Sequence, residues 1–187
     1  MNLVIMGESR SGKTFLANLL CSNIVGYNKI SIDYLVMTFK KVFPELDLNY
    51  YERKENKFYE FLEEYFDNCC YKEPNGIKYI LEGACLPYEA VLRLNKKENT
   101  KVIFLGKTEL SPQEFFNEIR SYEKNLSTGG WTKMLDDEKL LNWCTSWINK
   151  SKEHKKFCEE NNILYIDTSF NQQEILHNLL NILKIKN

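Results

Sequence analysis

Residues 7–14 read G-E-S-R-S-G-K-T and match the phosphate-binding pattern G-x-x-x-x-G-K-[ST]. The apolar run at residues 3–6 precedes this motif and the apolar-rich residues 15–20 follow it, which predicts a strand before the loop and a helix after it. In that arrangement the backbone N–H groups of the loop and the N-terminus of the helix surround a polyphosphate. The predicted nucleotide-binding residues are Gly7, Glu8, Ser9, Arg10, Ser11, Gly12, Lys13 and Thr14.

Two side chains of this loop carry the predicted chemistry. Lys13 is expected to reach the β- and γ-phosphates of ATP, and the Thr14 hydroxyl is expected to hold Mg²⁺. Side chains at Gly7 and Gly12 would keep the backbone away from the phosphates, so both positions are expected to require glycine. An ordinary turn between a strand and a helix is the alternative, but the motif and its context together favour a nucleoside triphosphate site.

The composition indicates a globular enzyme and excludes several other classes. The chain has 187 residues, which favours one domain, and a net charge of −1 with no basic patch for a nucleic acid. The short basic stretch at residues 154–156 is interpreted as a solvated helix end. Six cysteines without a C-x-x-C pair and two histidines argue against zinc and for a reducing, cytoplasmic location. The apolar run at residues 3–6 is too short for a signal peptide or a membrane span.

The remainder of the chain alternates between strand-like and helix-like segments. Apolar runs rich in β-branched residues are typical of strands buried on both faces of a parallel sheet. Such alternation with right-handed crossovers predicts an α/β fold with helices on both faces of the sheet. The predicted strands are residues 2–6, 29–33, 77–82, 101–105 and 163–167.

This layout resembles the P-loop kinases of the nucleotide-kinase-like group, which phosphorylate nucleotides, nucleosides or small hydroxyl metabolites. The specific part of the resemblance is the motif at residues 7–14, and the layout covers nearly the whole chain. The resemblance implies a three-layer domain over residues 1–187 with five parallel strands in the order 2-3-1-4-5. It also implies that an insertion at about residues 43–71 covers the acceptor and that about residues 126–137 form a lid, which excludes water on closure.

Two carboxylates are predicted at strand ends, where open α/β sheets bind ligands. Asp33 ends the second predicted strand and resembles the aspartate that small-molecule P-loop kinases carry there, so it is the expected proton acceptor. Glu82 ends the third predicted strand and is expected to help Thr14 hold Mg²⁺. Helix capping is the alternative for both, with helices expected to begin at Tyr34 and at Pro87.

Cations near the lid are the next candidates. Arg120 and Lys124 are four residues apart on the helix predicted after the fourth strand, so they share one face of it. The resemblance implies that Arg120 is a catalytic lid cation that neutralises charge on the transferring phosphoryl group. A solvated face on which Arg120 pairs with Glu118 or Glu123 is the equal alternative, and Lys133 is a weaker candidate within the lid.

Other residues have a less specific pattern. Trp131 is expected to cover the nucleotide when the lid closes, whereas Trp143 and Trp147 are expected in the core. Asp167 and Thr168 lie where the resemblance implies contact with adenine, although helix capping explains them as well. Packing is favoured over stacking on a ligand for the aromatic residues Tyr50, Tyr51, Phe58, Tyr59, Phe61, Tyr65 and Phe66.

The positions of the arginines restrict which kinds of acceptor the protein is expected to bind. Residues 34–39 and 83–87 contain no arginine, although nucleoside-monophosphate kinases place the arginines that clamp the acceptor phosphate there. The sequence therefore favours an ATP- and Mg²⁺-dependent transfer of the γ-phosphoryl group to a hydroxyl of a small molecule. A nucleoside or nucleoside-monophosphate kinase and a non-catalytic ATP-binding sensor are the alternatives. A small-molecule acceptor is the expected partner of a monomer or homodimer, without nucleic acid or membrane.

Overall fold

The computed structural model describes residues 1–46, 48, 57–72, 77–125 and 130–185. Strands in these residues form one parallel sheet in the order β2-β3-β1-β4-β5. This finding confirms the predicted α/β fold and its strand order. The strands are β1 (Asn2–Gly7), β2 (Tyr27–Ser31), β3 (Lys78–Gly83), β4 (Thr100–Gly106) and β5 (Leu164–Asp167).

Helices cover both faces of this sheet. Short 3₁₀ turns lie at Pro44–Leu46 and Trp131–Met134. No helix in the described ranges is both long and apolar enough to cross a membrane. The α-helices are α1 (Lys13–Asn23), α2 (Ile32–Val42), α3 (Lys57–Lys72), α4 (Tyr88–Asn95), α5 (Pro112–Lys124), α6 (Asp137–Glu160) and α7 (Gln172–Ile185).

Strand β1 shows why its sequence is a continuous apolar run. Leu3 and Ile5 are buried in a cluster that α1 and α7 complete, whereas Val4 and Met6 are buried against α2, α3 and α4. Successive side chains of a strand point to opposite faces, so a strand between two helical layers needs an apolar residue at every position. A third apolar cluster lies between α5 and α6 and supports the segment that follows residue 130.

The predicted end of the second strand was wrong. Strand β2 ends at Ser31, whose backbone is extended, and α2 begins at Ile32. Ile32 and Val36 are buried one helical turn apart, so this spacing continues a helix rather than a strand. Asp33 consequently lies in the first turn of α2, one residue into the helix and not at a strand terminus.

The aromatic residues of α3 mostly serve packing, as predicted. Phe58, Tyr59 and Phe66 are buried in the core, whereas Phe61 and Tyr65 remain partly exposed. Tyr50 and Tyr51 lie outside the described residues, as does part of the segment predicted to cover the acceptor. That covering role stays a prediction.

Candidate active site

The carboxyl ends of the strands meet at one edge of the sheet. In the parallel register, Met6 pairs with Gly83 and Gly106 pairs with Asp167, so the loops that follow these strands emerge side by side. A cavity of about 820 Å³ opens at this edge, a size common for small-molecule sites. Its lining residues are Ser9, Arg10, Gly12, Lys13, Thr14, Phe15, Asp33, Glu118, Ile119, Tyr122, Gly130, Trp131, Asn171, Gln172, Gln173 and Glu174.

The glycines of the loop are required by protein packing. Gly7 has φ +139°, and a Cβ there would lie 1.9 Å from the carbonyl oxygen of Leu105. Gly12 has φ +96°, and its Cβ would lie 2.5 Å from the Gln172 amide nitrogen. The reason predicted for both glycines was approach to phosphate, whereas the structure shows contact with β4 and α7. Both effects require a residue without a side chain.

Lys13 and its neighbours provide hydrogen-bond donors around the loop. The Lys13 ammonium is buried and donates to the backbone oxygen of Glu8 at 2.7 Å. Among the described residues, buried Ser11 Oγ and Arg10 Nε have no protein partner, although buried polar groups normally do. Arg10 also adopts φ +65°, an uncommon conformation for a residue with a side chain. Arg10 and Lys13 line the cavity, and their N–H groups fit the oxygens of a polyphosphate.

Thr14 and Glu82 lie together beside this loop. The Thr14 hydroxyl donates to Glu82 Oε2 at 3.2 Å, and Glu82 is 3% exposed at the end of β3. Helix α4 begins later, with Pro87 as its N-cap and no side-chain cap bond, so Glu82 does not cap it. A hydroxyl and a carboxylate are hard oxygen ligands of the kind that Mg²⁺ takes, and this pair therefore fits that ion.

Asp33 faces the same cavity from the other side. Its Oδ1 accepts a hydrogen bond from the Ala84 backbone N–H at 3.0 Å and lies 3.8 Å from the Cys85 thiol, which donates to it. A Cβ at Gly83 would lie 2.8 Å from Asp33 Oδ1, so glycine there allows this close approach. Because α2 begins before Asp33, capping of a helix at Tyr34 is excluded. The carboxylate is instead held against the end of β3.

Arg120 contacts the end of the predicted lid and is absent from the cavity lining. Its Nη2 donates to Asp137 Oδ1 at 2.7 Å and to the backbone oxygen of Leu135 at 2.8 Å, and its Nη1 donates to Glu123 Oε2 at 3.0 Å. The alternative pairing with Glu123 is therefore present. In the described residues Arg120 pairs with Glu123 and Asp137 and not with Glu118, which accepts from Lys107. Arg120 connects α5 to residues 135–137, at the end of the predicted lid.

Arg10 connects the phosphate loop to the same group of residues. It donates to the Thr132 hydroxyl, lies 3.6 Å from Glu123 Oε1 and packs over the Tyr122 ring. Burial raises the pKa of Glu123, but hydrogen bonds from Thr132 and Arg120 and the charges of both arginines outweigh it, and the pKa falls below its ordinary value. Glu123 is thus held as a buried carboxylate between two cations.

The aromatic residue of the lid lies at the cavity rim. Trp131 is 49% exposed, lines the cavity and packs against Trp143 and Trp147 with ring centroids 5.2 and 5.9 Å apart. Trp147 is buried, as predicted, and Trp143 is half-buried. Cover of a nucleotide by Trp131 stays a prediction.

Asp167 and Thr168 bond to neighbouring loops instead of lining the cavity. Asp167 accepts from the Thr108 backbone at 3.0 Å and from the Ser169 backbone at 2.8 Å. These bonds outweigh the effect of burial and lower the pKa of Asp167. The residues at the start of α7 line the cavity in their place.

Sequence reasoning did not identify Lys107 and His154 as buried residues. Lys107 is 2% exposed and donates to Glu118 at 2.8 Å and to the Thr168 carbonyl at 2.9 Å. It directly follows β4, so the strand-end argument applied to Glu82 could have found it. His154 is also 2% exposed, and its interpretation as part of a solvated helix end was wrong. Helical periodicity could have found it, because it continues the buried face formed by Leu140, Cys144, Trp147, Ile148, Ser151 and Cys158.

Comparison with known proteins finds similar folds at low sequence identity. No family model and no curated protein sequence matches this chain. Shikimate kinase from Bacteroides thetaiotaomicron is 15% identical, with 98% of each chain covered and a TM-score of 0.58. An uncharacterized protein from Eubacterium ventriosum ATCC 27560 is 11% identical, with 100% of this chain and 98% of that chain covered and a TM-score of 0.54.

A third structure extends the same comparison. A gluconokinase from Sinorhizobium meliloti 1021 is 14% identical, with 100% of this chain and 97% of that chain covered and a TM-score of 0.51. At these identities the likeness concerns the fold. The predicted resemblance is confirmed at that level, and the chain has the fold of the P-loop small-molecule kinases.

Proposed function

We propose that this protein is an ATP-dependent phosphotransferase that moves the γ-phosphoryl group to a hydroxyl of a small molecule. One observation carries the proposal: Lys13 and Thr14 of the phosphate loop line the same cavity as Asp33. A phosphate-binding cation, a metal-binding hydroxyl and a carboxylate base are the groups that such a transfer needs. The fold likeness to a shikimate kinase and a gluconokinase supports this assignment.

On the nucleotide side, the loop binds and orients the triphosphate. Lys13 exchanges the Glu8 carbonyl for phosphate oxygens, and the backbone N–H groups at the start of α1 bind the remaining oxygens. Thr14 and Glu82 are the residues that would hold Mg²⁺, which supplies positive charge against the phosphate oxygens when bound. The loop thereby fixes the γ-phosphorus in line with the incoming hydroxyl.

On the acceptor side, Asp33 accepts the proton of the attacking hydroxyl. The acceptor oxygen forms a bond to the γ-phosphorus while the bond to the bridging oxygen breaks, and ADP leaves. The bond from the Ala84 N–H to Oδ1 orients the carboxylate, so Oδ2 is the atom that takes the proton. A positioned base of this kind contributes about 10²–10⁴-fold to the rate.

Two arginines are placed for different tasks near the phosphates. Arg10 lines the cavity and is the cation that contacts phosphate, whereas Arg120 acts through the lid end that it holds. Both depend on Glu123, whose carboxylate lies between them. Closure of the lid excludes water, so the phosphoryl group is transferred to the acceptor and not hydrolysed.

The acceptor is expected to lack a phosphate group of its own. Arg93 forms an ion pair with Glu63 of α3, away from the cavity lining, and Arg10 is the arginine that lines it among the described residues. A phosphate acceptor is usually clamped by arginines because the guanidinium binds phosphate through two bonds. A polyol, sugar or hydroxy acid fits this arrangement better than a nucleoside monophosphate.

The proposal is tested by incubating the purified protein with Mg²⁺ and γ-labelled ATP against separate pools of sugars, polyols, hydroxy acids, nucleosides, nucleotides and antibiotics. Label is expected in one non-phosphorylated pool and is expected to be lost in Asp33→Asn. Lys29→Ala, which removes an exposed lysine outside the cavity lining, is the matched control and keeps transfer. ATP binding without transfer to any pool would contradict the proposal and favour an ATP sensor.

A further inference from the structure

Two buried side chains, Glu8 and His154, and the partly buried Tyr88 form a chain of hydrogen bonds behind the phosphate loop. His154 of α6 places Nε2 2.9 Å from Glu8 Oε1 and Nδ1 2.7 Å from the Tyr88 hydroxyl. An ionised carboxylate only accepts hydrogen bonds, so Nε2–H donates to Glu8, and in a neutral His154 ring Nδ1 then accepts from the Tyr88 hydroxyl. Glu8 is 6% exposed and His154 2% exposed, so water has little access to the bond between them.

Glu8 connects this chain of hydrogen bonds to the nucleotide site. Its backbone oxygen accepts from Lys13 Nζ at 2.7 Å and from the Ser11 N–H at 3.3 Å. A shift of Glu8 therefore moves the resting position of Lys13 and the turn that holds Ser11. The side chain of Glu8 is the part anchored to α6 through His154.

Packing against neighbouring aromatic residues fixes the orientation of the Tyr88 and His154 rings. Tyr88 stacks on Phe157 with ring centroids 3.9 Å apart, and the His154 ring lies 5.1 Å from Phe104. Tyr88 is the first residue of α4 and follows the Ala84 and Cys85 segment that contacts Asp33. The hydrogen-bonded chain thus connects the phosphate loop to the acceptor side of the cavity.

We infer that Glu8, His154 and Tyr88 form a positioning relay that holds the phosphate loop in its nucleotide-binding shape. The three residues act through Lys13 and Ser11 and do not themselves touch the transferred group. The inference rests on the proposed nucleotide site. It adds a buried support that the phosphate-binding pattern does not specify, since Glu8 occupies one of the variable positions of that pattern.

The test compares affinities for ATP and for AMP, by calorimetry, together with the melting temperature of each variant. Tyr88→Phe removes one hydroxyl and is expected to weaken ATP binding by about three- to ten-fold. His154→Leu is expected to weaken it further, whereas His154→Gln, which keeps a donor for Glu8, restores affinity to within about three-fold of the wild type. Affinity for AMP, which lacks the phosphates that Lys13 binds, is expected to change little.

Tyr27→Phe is the matched control. Its hydroxyl donates to the Met1 backbone oxygen at 2.8 Å, at the end of the sheet opposite the cavity, so this variant loses a comparable bond. It is expected to lower the melting temperature about as much as Tyr88→Phe with no change in ATP affinity. Equal ATP affinity in wild type, Tyr88→Phe and His154→Leu would overturn the relay alone. Absence of ATP binding by the wild type would overturn the proposed function and the relay together.

Discussion

The lid side and the acceptor side of the cavity are built from different interactions. On the lid side, Glu123 is buried between Arg10 and Arg120 and also accepts from Thr132, so charge holds the phosphate loop, α5 and the lid end together. On the acceptor side, Asp33 is held by a backbone N–H and a thiol, without an ion pair in the described residues.

This difference separates binding from chemistry. Charged groups in a buried network are held in one arrangement, because each is costly to leave unpaired. In the proposed mechanism the Asp33 carboxylate, which has weaker partners, takes the proton of the acceptor hydroxyl. We therefore propose that the lid side fixes a triphosphate and that the acceptor side accepts a proton.

The largest effect is expected from Lys13→Ala, which removes the buried lysine of the phosphate loop. Phosphoryl transfer is expected to fall by about 10³-fold, since a preorganised charge on the phosphates is lost. ATP affinity measured by calorimetry should fall in the same variant. Unchanged ATP affinity would contradict the distinction between the lid side and the acceptor side, because nucleotide binding would then not depend on this loop.

Asp33→Asn is expected to have a smaller effect, confined to chemistry. The amide keeps the size of the side chain and its acceptor oxygen for Ala84 but cannot take a proton, so transfer should fall by about 10²–10³-fold. ATP affinity should stay at the wild-type value. Asp67→Asn, at the Lys97 ion pair outside the cavity lining, is the control that retains transfer. A loss of ATP binding in Asp33→Asn would remove the distinction between the two sides.

Local features of the sequence predict some parts of the fold and of the site better than others. The phosphate loop and the buried strands follow from short continuous patterns, so their positions were predicted closely, whereas the sheet order was implied by the resemblance to P-loop kinases and is confirmed. The end of β2 was not predicted correctly, because residues 31–33 suit either a strand or the first turn of an amphipathic helix, and burial of Ile32 and Val36 decides between them.

Contacts between distant residues explain the remaining omissions. The Arg10–Thr132 bond joins residues 122 positions apart, and the Glu8–His154 bond joins residues 146 positions apart. Neither pair has a periodicity or a spacing that a single sequence reveals. Such pairs become neighbours because the parallel sheet brings its loops to one edge.

Gly130→Ala tests the interactions of Arg10 on the lid side without removing a charge. Gly130 has φ −67° and ψ 157°, which alanine adopts readily, but the new Cβ would lie 2.8 Å from Arg10 Nη2. Arg10 must shift, and ATP affinity is expected to fall by about five-fold, equivalent to about 1 kcal/mol. Lys139→Ala, a change at an exposed residue of α6 outside the cavity lining, should leave it unchanged. Equal affinities in both variants would show that Arg10 does not support nucleotide binding.

The smallest expected effect is a pH dependence of the free energy of unfolding, which comes from Glu123 on the lid side. The pKa of Glu123 is lower in the folded protein than its ordinary value of about 4.3, because hydrogen bonds and the two arginines outweigh burial. Its contribution is therefore fully present above that ordinary value and is lost as pH falls through the lowered folded value. At neutral pH, Glu123→Gln is expected to lose about 2 kcal/mol of unfolding free energy.

That deficit should shrink as denaturation is repeated at lower pH, because the wild-type carboxylate becomes neutral as well. Glu160→Gln, which removes an exposed carboxylate paired with Lys156, should differ little from the wild type at any pH. A deficit of constant size would mean that the shape of Glu123 supports the lid and its charge does not. The lid side would then resemble the acceptor side, where a neutral backbone donor is enough to hold the functional group.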